Sequence, residues 1–200
     1  MQNDSNDPSS YENDRSHNVS RGSGHGGSGH GGNGHGGDVL GDLIKGAVAG
    51  AVGVWALDQI TWYMWDREDP AALAQERTAR PGGLDPAHVM ANEAAHAMGK
   101  QLHPRQPNPA GIATHYALGI LPGALYGAFL RHRMHDLGSA RGLAYGLALF
   151  ALEDELANPL LGTSGQPGDY PWQAHVRGLV GHLTYGAVTD ATIGLLDSVA

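Results

Sequence analysis

Residues 106–130, QPNPAGIATHYALGILPGALYGAFL, contain no Asp, Glu, Lys or Arg. An apolar segment of more than about 18 residues is long enough to cross a bilayer as a helix. This segment also repeats glycine at four-residue spacing, at Gly119, Gly123 and Gly127, which lets helix backbones approach closely in lipid. It therefore predicts a membrane-spanning helix over residues 110–131.

Three weaker segments extend the same pattern along the chain. They cover residues 43–65, 141–161 and 174–196, and each is about 20 residues long, or about 30 Å as a helix. Their acidic residues are costly in hydrocarbon unless they are paired or face a polar interior. These residues are Asp58 in segment 43–65, Glu153, Asp154 and Glu155 in segment 141–161, and Asp190 in segment 174–196. We expect an all-α, polytopic four-helix membrane bundle over residues 39–200, with a soluble helical bundle as the alternative.

The N-terminal segment has a different composition. Residues 1–38 consist mainly of Asn, Asp, Ser, Gly and His, and they cannot bury enough apolar surface to offset the entropy of ordering. We expect a disordered tail. A Gly-His-Gly-Gly repeat places His25, His30 and His35 on it, either as a weak transition-metal site or as part of a solvated linker.

The connection between the first two spans, residues 66–108, is expected to lie outside the membrane. Asp85 and Pro86 have the residue types of a helix N-cap and a first helical position. They predict a surface helix within this connection.

Charged and aromatic residues predict the orientation. Trp62 and Trp65 end the first span and Trp172 precedes the fourth, which is typical of one membrane interface. The short loop at the opposite side contains Arg131 and Arg141, as cytoplasmic loops do. Both termini are therefore expected in the cytoplasm.

Composition excludes several functions. The net charge of -8 without a basic stripe argues against a nucleic-acid partner. The chain has no cysteine, which excludes disulfides, thiolate zinc sites and cysteine nucleophiles. Asn92 to His96 resembles the zinc-protease motif HExxH but has one of its two histidines. We expect no classical enzyme activity, the lipid bilayer as main partner, and homo-oligomers formed through glycine-rich helix faces.

The spans resemble one another in pairs. Gly46, Gly50 and Asp58 in the first span have the same spacing as Gly142, Gly146 and Asp154 in the third; Gly111, His115 and Gly119 in the second match Gly178, His182 and Gly186 in the fourth. The chain is thus either two tandem helical hairpins related by duplication or a chance match between glycine-rich segments.

The repeated polar residues form the candidate site. With alternating spans, Asp58, His115, Asp154 and His182 all lie roughly 8–12 Å below the outer boundary; we call these four residues the Asp/His layer. Two imidazoles and two carboxylates suit a divalent metal such as zinc, or proton handling or pH sensing by groups that titrate near neutrality. In the alternative, the protein is a structural or partner-binding module, and the layer only locks the helices together.

The same segments resemble the YagU-like family of bacterial inner-membrane proteins. The motifs are Gly46 to Gly50, Thr114-His115 with the Gly/Tyr pattern to Tyr126, Pro159-Leu160-Leu161-Gly162, and Pro171-Trp172 followed by Gly181-His182-Leu183. The resemblance implies a small multi-pass helical protein of the bacterial inner membrane. The family has no established activity.

Overall fold

The computed structural model describes residues 34–102 and 106–199. Within these ranges every regular element is helical, which confirms the predicted all-α class. The metal site predicted for the tail lies outside the described residues, since His25, His30 and the side chain of His35 are not among them.

The described residues form four long helical segments and two short helices. A long segment is either one α-helix or an α-helix that continues through a π-helical stretch. In chain order the helices are α1 (Gly34–Trp65), α2 (Pro70–Ala79), α3 (Pro86–Ala97), α4 (Pro109–Leu125), α5 (Arg141–Leu149) and α6 (Trp172–Val199). The chain continues from α4 through a π-helical turn, Tyr126–Leu130, into Arg131–Arg133, and from α5 through a longer π-helical segment, Phe150–Ala157, into Asn158–Leu161. Short 3-10 turns lie at Pro81–Gly83, His135–Ala140 and Pro167–Asp169.

The long segments contain the four predicted helical stretches, but α1 starts earlier than expected. Residues 34–38, which we predicted to be tail, are helical. A helix that is nucleated in an apolar segment extends over its neighbours at little cost, because each added residue gains a hydrogen bond.

The connection between α1 and α4 holds two helices where one was predicted. The Asp85 carboxylate accepts a hydrogen bond from the His88 backbone N–H at 2.9 Å, which confirms the predicted cap of α3. Asp69 caps α2 in the same way, by accepting from Ala71 N–H at 2.7 Å, and Pro70 follows it. The same Asp-Pro signature thus starts both helices.

Helix α1 occupies the middle of the fold. It packs against α4 and α6, and α5 packs on α6. Lys45 near the start of α1 donates to Asp197 near the end of α6 at 2.8 Å, while Arg177 near the start of α6 binds Glu68, which follows α1. Helices α1 and α6 are therefore antiparallel.

Glycines allow the helices to approach at backbone distance. A Cβ atom on Gly50 would lie 2.6 Å from the Gly119 carbonyl oxygen, and one on Gly142 would lie 2.7 Å from the Gly186 carbonyl oxygen. The first contact joins α1 to α4, and the second joins α5 to α6. These glycine faces are occupied within the chain, so the self-association that we expected through them would need other surfaces.

The outward faces of the long helices are apolar. On α1, Ile44, Val48, Val52 and Trp55 are between 38% and 57% exposed, and they follow one another at helical spacing. Among the described residues, Val39–Trp65 is the one helix that combines the length and the apolar composition of a membrane span.

We predict that Gly50→Ala lowers the free energy of unfolding by about 1–3 kcal/mol, because the added methyl group clashes with the α4 backbone. Gly41→Ala is the matched control, since a Cβ there meets nothing within 4 Å. That variant should be unchanged or up to about 1 kcal/mol more stable. Denaturant titration of the purified proteins, followed by circular dichroism, measures both. Equal stability of the two variants would contradict the proposed packing.

Candidate functional site

A cavity of about 960 Å³ lies between the long helices. Residues of α1, α4, α6 and the π-helical segment Phe150–Ala157 line it, together with residues from the connections around 76–88 and 164–170. Helix α4 and the π-helical segment both contribute to its walls but make few contacts with each other. We call this space the central cavity; all four residues of the Asp/His layer line it.

The first pair of the layer joins α1 to α4. His115 Nε2 lies 2.8 Å from Asp58 Oδ1. The Asp58 side chain is 13% exposed and the His115 side chain is 37% exposed. The imidazole is thus held by the carboxylate at one nitrogen while part of the ring remains open to the cavity.

The second pair joins α6 to the π-helical segment. His182 Nδ1 donates to the Gly178 carbonyl at 3.0 Å and lies 3.5 Å from Asp154 Oδ2. Its other nitrogen, Nε2, is 3.9 Å from Glu153 Oε2. His182 therefore has a carboxylate on each side, in a looser arrangement than that of His115.

A third histidine pair, which the sequence analysis missed, lies on the same wall. His175 Nε2 donates to the Pro167 carbonyl at 3.0 Å, and Nδ1 lies 2.6 Å from Glu155 Oε1. Because a carbonyl accepts only, Nε2 must carry a hydrogen. His175 is thus held at both ring nitrogens, by a carbonyl at one and by a carboxylate at the other.

The arrangement does not fit a zinc ion. Zinc in proteins takes three or four ligands at about 2 Å. In the described residues, no group of three or more His, Asp or Glu side chains is placed to hold a metal ion. Asp58, His115, Asp154 and His182 line one cavity but form two pairs.

A buried ion-pair cluster fastens the α1–α3 connection to α6. Arg177 binds both Glu68 and Glu76, and all three side chains are at most 8% exposed. Arg80 also pairs with Glu76 at 2.5 Å, and the Arg177 guanidinium lies over the Trp65 ring at 4.7 Å from its centroid. The cluster is part of the cavity rim, since Glu76, Arg80, Arg177 and Trp65 line the cavity.

A second ionic network holds the opposite ends of the helices together. Asp190 accepts hydrogen bonds from Arg131 Nε at 3.0 Å, Arg141 Nε at 2.8 Å and the Tyr126 hydroxyl at 2.9 Å. Arg131 also pairs with Asp197 at 2.7 Å. The arginines that we read as a cytoplasmic loop signal thus neutralise an acidic residue inside the fold.

One signal in the sequence could have revealed part of what was missed. His175 and His182 are two helical turns apart and therefore share one face of α6. Placing His182 at the candidate site therefore also predicts His175 on the same side. The partners of Arg177 could not be found in this way, because Glu68 and Glu76 lie far from it in sequence and reach it only through the fold of the connection.

Comparisons with models of protein families, with characterised proteins and with solved structures gave no match. The resemblance to the YagU-like family therefore rests on the sequence motifs alone.

We predict that Asp190→Asn lowers the free energy of unfolding by about 3–5 kcal/mol, because it leaves two enclosed guanidinium groups without their shared carboxylate. Asp136→Asn is the matched control. Its carboxylate pairs with His135 but is 87% exposed, so the change should stay within about 0.5 kcal/mol. Denaturant titration compares the two, and a loss of similar size in both would show that the network is not stabilising.

Proposed function

We propose that the protein is a multi-pass membrane protein whose four long helical segments cross the bilayer. Helix α1 alone meets the length and composition of a span among the described residues, but the apolar outward faces continue on the other segments. Leu121 and Leu125 on α4, Leu143 and Leu147 after Arg141, and Leu195 on α6 are between 46% and 68% exposed. An ordinary soluble protein rarely leaves so much contiguous apolar surface in contact with water.

The charged residues support this proposal by their position. Asp58 and Asp154 face the central cavity, and Asp190 is enclosed by arginines, so that none of them needs to face lipid. Intramembrane ionisable residues are tolerated when they face a polar interior or are paired. The fold thus has a polar interior and an apolar exterior.

The orientation follows from the two ends of the helices. Lys45, Arg131 and Arg141 gather at the end where α1 starts and α6 finishes. We propose that this end faces the cytoplasm, because the short loop between α4 and α5 carries arginine, as cytoplasmic loops do. The longer connection at the other end carries Arg67, Arg77 and Arg80. In this arrangement the central cavity, near Trp62 and Trp65, belongs to the outer half of a bacterial inner membrane.

We further propose that the central cavity binds and releases protons, making the protein a proton-handling or pH-sensing membrane protein. The observation that carries this is the convergence of His115, His175 and His182 on one cavity, each beside a carboxylate. Histidine is the side chain that changes charge between about pH 5 and 8.

The electrostatic surroundings of these histidines come from every wall of the cavity. His115 is influenced by Asp58 on α1, by Asp85 at the start of α3 and by His182 on α6. His182 is influenced by Glu153 and Asp154. A proton added to either histidine therefore changes the charge balance that its neighbours experience.

The alternative is that the Asp/His layer only locks the helices together. A purely structural network needs its polar groups satisfied within the bundle. His115 and Glu153 instead keep 37% and 36% of their side chains exposed in the cavity. This accessibility favours proton exchange.

The membrane proposal predicts how the protein fractionates. It should sediment with membranes, resist extraction by high salt and by alkali, and be released by detergent, because its helices would be buried in hydrocarbon. Immunoblotting of the fractions measures this. Recovery of a folded monomer from the soluble fraction would contradict the proposal.

The proton proposal predicts that the imidazole signals of His115 and His182 respond to pH between about 5 and 8. ¹⁵N-histidine NMR of the protein in lipid nanodiscs measures this response, and His115→Gln and His182→Gln assign the signals by their loss. His135→Gln is the matched control, since His135 is 72% exposed in the opposite loop. Signals for His115 and His182 that stay constant across this range would favour the structural alternative.

A further inference from the structure

The central cavity has the size and walls of a small-molecule site. Its volume of about 960 Å³ lies at the upper end of the range of about 300–1,000 Å³ that is typical of ligand pockets. Aromatic rings from different parts of the fold line it, namely Trp62, Tyr116, Phe150 and Tyr170, together with Trp65, whose ring is already covered by Arg177. An aromatic ring presents the negative face of its π-system to a bound cation.

The carboxylates of the cavity differ in their partners from the other enclosed carboxylates of the protein. At the two ends of the helices, Asp190, Glu68 and Glu76 are paired with arginine. Among the other acids that line the cavity, Asp58 pairs with His115, Glu153 and Asp154 with His182, Glu155 with His175, and Asp85 with His88.

Because of this difference, the negative charge of the cavity is not fully neutralised by the protein's own cations. Arginine stays charged at any physiological pH, whereas a histidine partner is neutral for part of the time. Over the whole lining, seven carboxylates stand against three arginines, Arg77, Arg80 and Arg177, and four histidines. While the histidines are neutral, this leaves an excess of negative charge, which is costly where the groups are partly withdrawn from water. Protons or a cation from outside must supply the balance.

The chemistry of the walls selects the type of cation. The described residues offer no group of three ligands for a metal ion, while leucine and aromatic side chains such as Leu57, Leu149 and Phe150 lie beside the acids. Apolar walls with a few convergent charges suit an organic ligand.

We infer that the central cavity binds an organic cation, an amine or quaternary ammonium-like molecule with apolar substituents, in exchange for protons on the histidine–carboxylate pairs. This inference rests on the proposed proton-handling function.

Tetraphenylphosphonium, an aromatic organic cation, is a suitable probe. Isothermal titration calorimetry of the full chain in detergent, with protein-free micelles as blank, should show saturable binding. Glu153→Gln should weaken it about tenfold, since it removes one of the carboxylates that would pair with the bound cation, and a tenfold change corresponds to about 1.4 kcal/mol. Asp136→Asn, in the exposed opposite loop, should bind like the wild type.

Two measurements on the wild type keep the test independent of how the variants fold. Lowering the pH to about 4 should weaken binding, because histidines become charged and compete with the cation for the carboxylates. Tetraphenylborate, an anion of the same shape, should not bind in the cavity. Equal binding of the anion, or unchanged affinity in Glu153→Gln, would overturn the inference. No binding of the cation while His115 and His182 titrate would also overturn it but leave the proposed function standing, whereas histidines that do not titrate would defeat the function itself.

Discussion

The close backbone contact between helices at glycine is the constraint on which the rest of the structure depends. Gly50 meets Gly119, and Gly146 meets Gly186. Asp58 follows Gly50 by about two helical turns, and Asp154 follows Gly146 by the same interval, so each carboxylate lies on the face that its glycine brings to the partner helix. The histidines precede their glycines by about one turn on that partner. The glycine contacts therefore place the Asp–His pairs, because a Cβ at these contacts would push the helices apart.

The two halves of the fold repeat this arrangement but differ at one point. Helix α1 remains a regular α-helix around Asp58, whereas the corresponding part of the other half is the π-helical segment Phe150–Ala157. Glu153, Asp154 and Glu155 all line the cavity from this segment. In a regular helix, consecutive residues point about 100° apart, so a π-helical region is a natural way to turn three successive acids toward one space. π-helical turns occur frequently at functional sites.

The sequence was sufficient for features that depend on spacing within one helix. The long helical segments, the Asp85 cap and the gathering of Asp58, His115, Asp154 and His182 in one region follow from periodicity and from the matched intervals, whereas their division into two pairs does not. Features that depend on how the connection between α1 and α4 folds were not accessible. Glu68 and Glu76 have no spacing relation to Arg177, and the π-helical segment leaves no mark in the hydrophobic pattern. The zinc hypothesis combined four residues at one depth, but depth alone does not specify which side chains share a ligand.

The distribution of cations explains how such a protein can change charge without losing its fold. At both ends of the helices the enclosed carboxylates are neutralised by Arg131, Arg141 and Arg177, whose charge does not vary with physiological pH. Between these ends the carboxylates pair with histidines, whose charge does vary. In the proposed function, a change in pH or the arrival of a cation would therefore act on the cavity, while the ionic clusters that hold the helix ends would stay intact. The arginine ion pairs at the helix ends keep a constant charge, whereas the histidine–carboxylate pairs between them can gain or lose protons. The proposed proton-responsive cavity requires both.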